Sequence, residues 1–139
     1  MKNFFYTVII LSVVLTGCNK EKQLEESLFK EVMDIHDEVM PQMGTLRNLS
    51  KSIQSNIDSL SADSTSLKSN TKEEMKKTIE ELKKANELMM EWMHQFEQIE
   101  EGTPHGEVMR YLLEQKKLIE KVREDMLKAK KKGEYYLNQ

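Results

Sequence analysis

A histidine and two acids stand together in the segment IHDEVMPQMG, which begins at Ile35. Imidazole and carboxylate groups are the usual side chains of general acid–base catalysis. Consecutive residues of a helix point about 100° apart, however, so we do not expect His36, Asp37 and Glu38 to converge on one atom. The segment also lacks the HExxH spacing of a zinc protease, and the sequence contains no glycine-rich phosphate loop. The sequence therefore predicts a protein that is not an enzyme.

The same segment offers a second kind of chemistry, because methionines flank its histidine. Met40 follows His36 by four residues, and Met90 and His94 repeat this spacing later in the chain. Residues four apart share one face of a helix. Thioether and imidazole groups suit Cu(I) and Ag(I), so these four residues form a candidate metal site. Two other interpretations stay open, since methionine also fills irregular cores and a methionine-rich surface can accept a helical partner.

Three apolar stripes with a helical period must position these residues. In the first, from Leu24 to Leu60, apolar side chains recur every three or four residues and keep their phase through Pro41. We therefore predict one long first helix, kinked at this proline. The second stripe runs from Met75 to Phe96 and the third from Val108 to Ala129. Gly133 is expected to end the third helix.

These stripes predict an all-α fold. None of the helices is apolar all round, so they must bury their stripes against one another. We predict an antiparallel, up-down-up three-helix bundle with coiled-coil-like packing. In such a bundle His36 lies level with about residue 95, which brings most of the methionines to one end. Asn86 takes a core position of the second helix, where a polar residue can fix the register.

The N-terminal segment has the features of a secretory signal. Lys2 precedes an apolar run from Phe4 to Leu15, which is too short for a stable membrane span. The run ends in LTGC, at residues 15–18, and this ending resembles the lipobox of bacterial lipoproteins. The resemblance implies that the chain is cut before Cys18 and that the thiol is lipidated. An ordinary signal with an incidental cysteine, or an uncleaved anchor, is the alternative.

The lipobox divides the chain into three parts. We predict a lipoprotein signal peptide at 1–17, a lipid-anchored tether at 18–30 and a helical bundle domain at 31–139. The mature protein would be held at a bacterial membrane by its N-terminal lipid, facing the periplasm or the cell surface. Because Asn19, and not an aspartate, follows Cys18, the resemblance favours the outer membrane.

Composition limits the partners. The chain of 139 residues has a formal net charge of −3 with both signs interspersed, so it presents no basic face for nucleic acid. Cys18 is the only cysteine. Its lipidation would leave no thiol for a disulfide or a thiolate metal site.

The lipobox, the IHDEVMPQMG segment and the later MMEWMHQF segment, Met89 to Phe96, together resemble small helical bacterial lipoproteins. Some of these carry the label "viral A-type inclusion protein", which reflects coiled-coil-like sequence and implies no activity. We expect a non-enzymatic envelope lipoprotein whose bundle serves as a structural or protein-interaction module. Its partners would be the membrane and either a helical protein or a second copy. The alternative is a periplasmic Cu(I)- or Ag(I)-binding protein that uses His36, Met40, Met90 and His94.

Overall fold

The computed structural model describes residues 2–62 and 69–138, with side chains over 19–60 and 70–138. Its regular structure consists of α1 (Lys2–Val39), α2 (Gln42–Ala62), α3 (Ser69–Gln95) and α4 (His105–Leu137). The described residues contain no strand, and α2, α3 and α4 each pack against the other two. The predicted all-α class is therefore confirmed.

The predicted single first helix is interrupted at its proline. Met40 and Pro41 form a turn between α1 and α2. Proline has no amide hydrogen, so the helical ladder cannot pass through it unbroken. The Met40 N–H still donates to the His36 carbonyl at 2.8 Å, but the Met43 N–H reaches back only three residues, to the Met40 carbonyl at 3.2 Å. The neighbours change across this break, because α1 packs chiefly on α4 whereas α2 packs on both α3 and α4.

The apolar stripes form the core. On α4 every position of the predicted stripe is buried, namely Val108, Leu112, Gln115, Ile119, Val122, Met126 and Ala129. The main core cluster joins residues of all four helices, with Val39, Leu46, Ile53, Leu82, Met89, Ile119 and Met126 among its fully buried members. Burying one leucine or isoleucine side chain contributes about 1.5–3 kcal/mol, so this periodic burial accounts for the association of the helices. The two ends of the first stripe, Leu24 and Leu60, are exposed.

Gly133 does not end the last helix, and the prediction that it would is wrong. α4 continues to Leu137, and Gly133 is buried within it. A Cβ atom at this position would lie 3.2 Å from Cδ1 of Leu82 and 3.3 Å from Cδ1 of Leu49. The glycine is therefore a point of close approach between α4 and its neighbours. Its small size serves tertiary packing, which a local end-of-helix rule does not see.

Packing against α4 begins before residue 31. Leu28 is buried in a second cluster with Val108 and Leu112 of α4. One turn earlier, Oε1 of Glu25 lies 2.7 Å from Nδ1 of His105. The second half of the predicted tether thus contacts the bundle, whereas all described side chains over 19–24 are exposed. The side chains of the predicted signal peptide and of Cys18 lie outside the described residues.

Candidate functional site

His36 lies in the last turn of α1, at the margin of the core. Its side chain is 16% exposed, and its ring lies against that of buried Trp92 with the centroids 5.6 Å apart and the planes tilted by 33°. Trp92 belongs to α3 and stands within one turn of residue 95, the level at which the bundle prediction places His36. On its other side, Nδ1 of His36 lies 2.8 Å from Oδ1 of Asp37. Both neighbours restrict how the imidazole can turn.

The two acids that follow this histidine contact different partners. The Asp37 carboxylate folds along the helix surface to its neighbour, a contact that the 100° separation of consecutive side chains does not suggest. Glu38 points to α4 instead, where its Oε2 lies 3.3 Å from Nη1 of Arg123. Because Asp37 is 73% exposed, the histidine and its acid form a pair that faces solvent. Among the described residues, no other side chain is hydrogen-bonded to His36 or Asp37.

The methionines at this end of the bundle divide between core and surface. Met89 is fully buried, and Met43 and Met93 are half-buried against the main core. These three fill space as flexible apolar side chains do. Met40 and Met90 differ, because they are 45% and 44% exposed. Their thioethers are open to solvent or to a partner.

The four predicted metal ligands are not joined to one another by any hydrogen bond, ion pair or ring contact in the part of the chain that the structure describes. Met40, Met90 and His94 are exposed, whereas His36 is half-buried. Within residues 19–60 and 70–138, no group of three or more His, Cys, Asp or Glu could hold a metal ion. Thioether ligands are not among these residue types, so the Cu(I) or Ag(I) site stays a prediction.

A titration decides this prediction. A site built from His36, Met40, Met90 and His94 should bind one equivalent of Cu(I) under reducing conditions more tightly than micromolar. Joint replacement of His36 and His94 by alanine should abolish that binding, and replacement of His105, which pairs with Glu25, serves as the control. Binding that is weaker than micromolar, or that survives the double replacement, would remove the metal site.

Comparison of the chain with family models, curated proteins and solved structures found no match. In the described part of the chain, no helix has both the length and the apolar character that a membrane span requires.

The sequence prediction missed a row of rings at this end of the bundle. Trp92 and Phe96 of α3 have centroids 5.0 Å apart, and Phe96 also contacts Phe29 at 6.2 Å and Tyr111 at 5.9 Å. With His36 on Trp92, the row links α1, α3 and α4. The spacing of Trp92 and Phe96, four residues apart, indicates that both lie on one face of α3. Their partners on α1 and α4 carry no such signal, because ring contacts between helices depend on the tertiary packing.

Tyr111 secures the chain just beyond α3. Its hydroxyl donates to the Glu97 carbonyl at 3.1 Å and accepts from the Glu97 N–H at 2.8 Å. Backbone groups at a helix end lack helical partners. The Tyr111 hydroxyl supplies a partner for both the N–H and the carbonyl of Glu97. Burial raises the pKa of the Tyr111 hydroxyl. These contacts give Tyr111 a structural role in holding the loop that leads to α4.

Proposed function

We propose that this chain is a non-enzymatic, membrane-anchored envelope lipoprotein whose helical bundle acts as a structural or protein-interaction module. The observation that carries the proposal is the change in exposure along α1. All described side chains over 19–24 are exposed, whereas Leu28 and Val32 are buried. α1 therefore leaves the bundle on the side that leads to Cys18, as a lipid-bearing arm would. Two or three acyl chains on Cys18 would hold such an arm stably at a membrane, each buried CH₂ adding about 0.8 kcal/mol.

We infer that the bundle is an up-down-up arrangement in which α1 and α2 act as one bent rod. Two side-chain pairs support a parallel course of this rod and α4, because both residue numbers rise together: Glu31–Lys116 and Glu38–Arg123. Two others support an antiparallel course of α3 and α4, because one number falls as the other rises: Glu81–Lys132 and Glu74–Tyr136. The pairs are largely exposed, so they indicate register and contribute little stability.

We propose that exposed apolar side chains on α1, beside the break at Pro41 and on α3 serve protein interaction. Phe29, Met40 and Met90 are each more than 40% exposed. Met40 directly precedes Pro41, and Phe29 lies about three turns earlier on α1. Methionine side chains adapt to different apolar partners, which suits the docking of an amphipathic helix. A helical protein or a second copy of this chain would supply that helix.

Lipid labelling tests the anchor. Cells that express the chain are fed a palmitate analogue carrying a clickable group, and membranes are then partitioned with detergent. We expect label and detergent-phase recovery for the natural chain, and loss of both for Cys18→Ser. An unlabelled chain that stays in the aqueous phase with Cys18 intact would contradict the proposal.

Site-specific photo-crosslinking tests the interaction surface. A photoreactive amino acid is placed at Phe29 or at Met40, and for comparison at Lys117, an exposed residue of α4. We expect a discrete adduct from the first two positions and none from the third. An adduct of twice the chain mass would identify a second copy as the partner. The same adducts from all three positions would show that Phe29 and Met40 do not mark a specific interaction surface.

A further inference from the structure

A groove between α2 and α3 gathers cations around an apolar floor. It has a volume of about 460 Å³, with Met43, Arg47 and Lys51 on its α2 side and Lys83 and Met90 on its α3 side. This volume lies within the range of about 300–1,000 Å³ that small-molecule sites occupy. The groove is open to solvent, and it is separate from the contact between His36 and Trp92.

The cations of this groove have no partners. Arg47, Lys51 and Lys83 make no hydrogen bond or ion pair with any residue of the described ranges 19–60 and 70–138. Some basic residues elsewhere in the bundle do pair with acids, as Lys116 does with Glu31 at 2.6 Å, whereas others, such as Lys117, do not. The groove lining holds these three cations against one carboxylate, Glu87.

Two of the cations also repel each other. Arg47 and Lys51 stand four residues apart on α2, where like charges destabilise a helix by about 0.2–0.5 kcal/mol. The chain as a whole has a formal net charge of −3, so the lining of this groove is locally opposite in sign to the whole. A bound anion would attract all three cations and so offset the repulsion between them.

The wall of the groove contains an unsatisfied polar atom. Asn86 lines the groove, and its Oδ1 is buried without a hydrogen-bond partner. A buried acceptor without a donor costs about 1–3 kcal/mol. A ligand that carries a hydroxyl group beside its anionic group would supply that donor.

We propose that this groove binds one molecule of a phosphorylated amphiphile, such as an acylglycerol phosphate. The phosphate lies among Arg47, Lys51 and Lys83, where the guanidinium group can donate two parallel hydrogen bonds. The apolar chain lies along Met43 and Met90. The free glycerol hydroxyl of a monoacylglycerol phosphate donates to Asn86. Inorganic phosphate offers the same anion without the apolar chain, so the two sources can be separated by experiment.

Calorimetry with monohexanoylglycerol phosphate, which keeps one free glycerol hydroxyl and is held below its micelle concentration, tests the site. The chain is used as isolated from cells, in phosphatidylcholine nanodiscs if it is membrane-bound, with the heat of empty nanodiscs subtracted. We expect one equivalent to bind. The triple variant Arg47→Gln, Lys51→Gln, Lys83→Gln should weaken binding by at least about tenfold, which corresponds to about 1.4 kcal/mol.

A matched variant controls for charge. Lys77, Lys117 and Lys131 are exposed and have no partner among the described residues. Their joint replacement by glutamine changes the net charge by the same amount and should leave affinity unchanged. Equal loss of affinity in both triple variants, or no loss in either, would show adsorption without a site and overturn the proposal. Circular dichroism of each variant confirms that the helices are intact.

The apolar part of the proposal has its own test. Met90→Gln should weaken binding of the amphiphile by about fivefold and leave binding of inorganic phosphate unchanged, because only the amphiphile contacts the thioether. If inorganic phosphate binds as tightly as the amphiphile and Met90→Gln affects neither, the groove is an anion site only and the amphiphile proposal is wrong. Neither outcome depends on lipidation of Cys18, so this test is independent of the proposed membrane anchor.

Discussion

Replacing two glycines by alanine should change the stability of the bundle in opposite directions. Gly44 lies in α2 and Gly133 in α4, and neither has a positive φ. At a helical position without such strain, alanine is favoured over glycine by about 0.8–1 kcal/mol. If helix propensity alone decided the outcome, both substitutions would stabilise the protein.

The space around each glycine separates the two cases. A Cβ at Gly44 meets nothing within 4 Å, whereas a Cβ at Gly133 meets Cδ1 of Leu82 at 3.2 Å and both Cδ1 and Cβ of Leu49 at 3.3 and 3.4 Å. Leu82 is fully buried, and the Cβ of Leu49 is fixed to its backbone, so neither can easily move away. Overpacking of this kind costs about 1–3 kcal/mol. We therefore expect Gly133→Ala to lower the free energy of unfolding by about 1 kcal/mol, and Gly44→Ala to raise it by about 0.5–1 kcal/mol.

Urea unfolding followed by circular dichroism at 222 nm measures both effects, on the chain from residue 18 with Cys18→Ser. The two variants should differ by about 2 kcal/mol, or by roughly 8 °C in Tm for a domain of this size. Gly133→Val should lose more than Gly133→Ala, because it adds two further methyl groups to the same contact. If Gly133→Ala stabilises the protein as much as Gly44→Ala does, α4 does not approach Leu82 and Leu49 closely and this account of the core is wrong.

Four further substitutions test other parts of the structure. Leu28→Ala should lower the free energy of unfolding by about 2–3 kcal/mol, whereas exposed Leu24→Ala should change it by less than about 0.5 kcal/mol; equal effects in urea unfolding would contradict the packing of Leu28 on α4. Gly102→Ala should cost about 1 kcal/mol, since φ of Gly102 is +90° and side chains rarely adopt it; an unchanged urea midpoint would refute this strain. Burial raises the pKa of Tyr111 above its ordinary value of 10.0, so the unfolded chain loses this proton first. The stability that Tyr111 contributes should therefore be complete below pH 10.0 and be lost as pH rises through the raised pKa. Unfolding midpoints between pH 9 and 12 should fall less steeply for Tyr111→Phe. A residual slope is expected from Tyr136, whose pKa burial also raises, and from Lys116 and Lys121, whose pKa values are raised by hydrogen bonds to carboxylates; identical slopes would show that Tyr111 is not linked to this loss.

The core could be predicted from periodicity because burial is what produces the periodicity. On α4 the stripe from Val108 to Ala129 is buried at each predicted position. Gly133 is a residue whose role local sequence rules do not predict. A glycine after a run of lysines is typical of a helix end, but its actual role depends on Leu82 and Leu49, which are far away in sequence. Local rules cannot anticipate a contact that only the tertiary packing creates.

The candidate sites show the same limit. The level of His36 near Trp92 follows from counting residues along paired helices. The direction in which each side chain points does not follow from that count, so the sequence grouped His94 and Met90 with His36 without any means of testing whether they face it. The sequence did not predict a cluster of Arg47, Lys51 and Lys83, for a related reason. In the sequence they are ordinary members of an interspersed set of charges, and only the bundle decides which cations find acids.

The break at Pro41 connects these observations. Before the break, α1 packs chiefly on α4, and Phe29 and His36 of α1 make ring contacts with α3. After it, α2 packs on both α3 and α4. The groove of unpaired cations opens directly after the break, where Met43 of α2 and Met90 of α3 line it together. Met90 is 44% exposed there. A proline that costs the helix a hydrogen bond thus coincides with the part of the bundle where an apolar surface and unbalanced charge are both accessible, and those are the two properties that a ligand or partner needs.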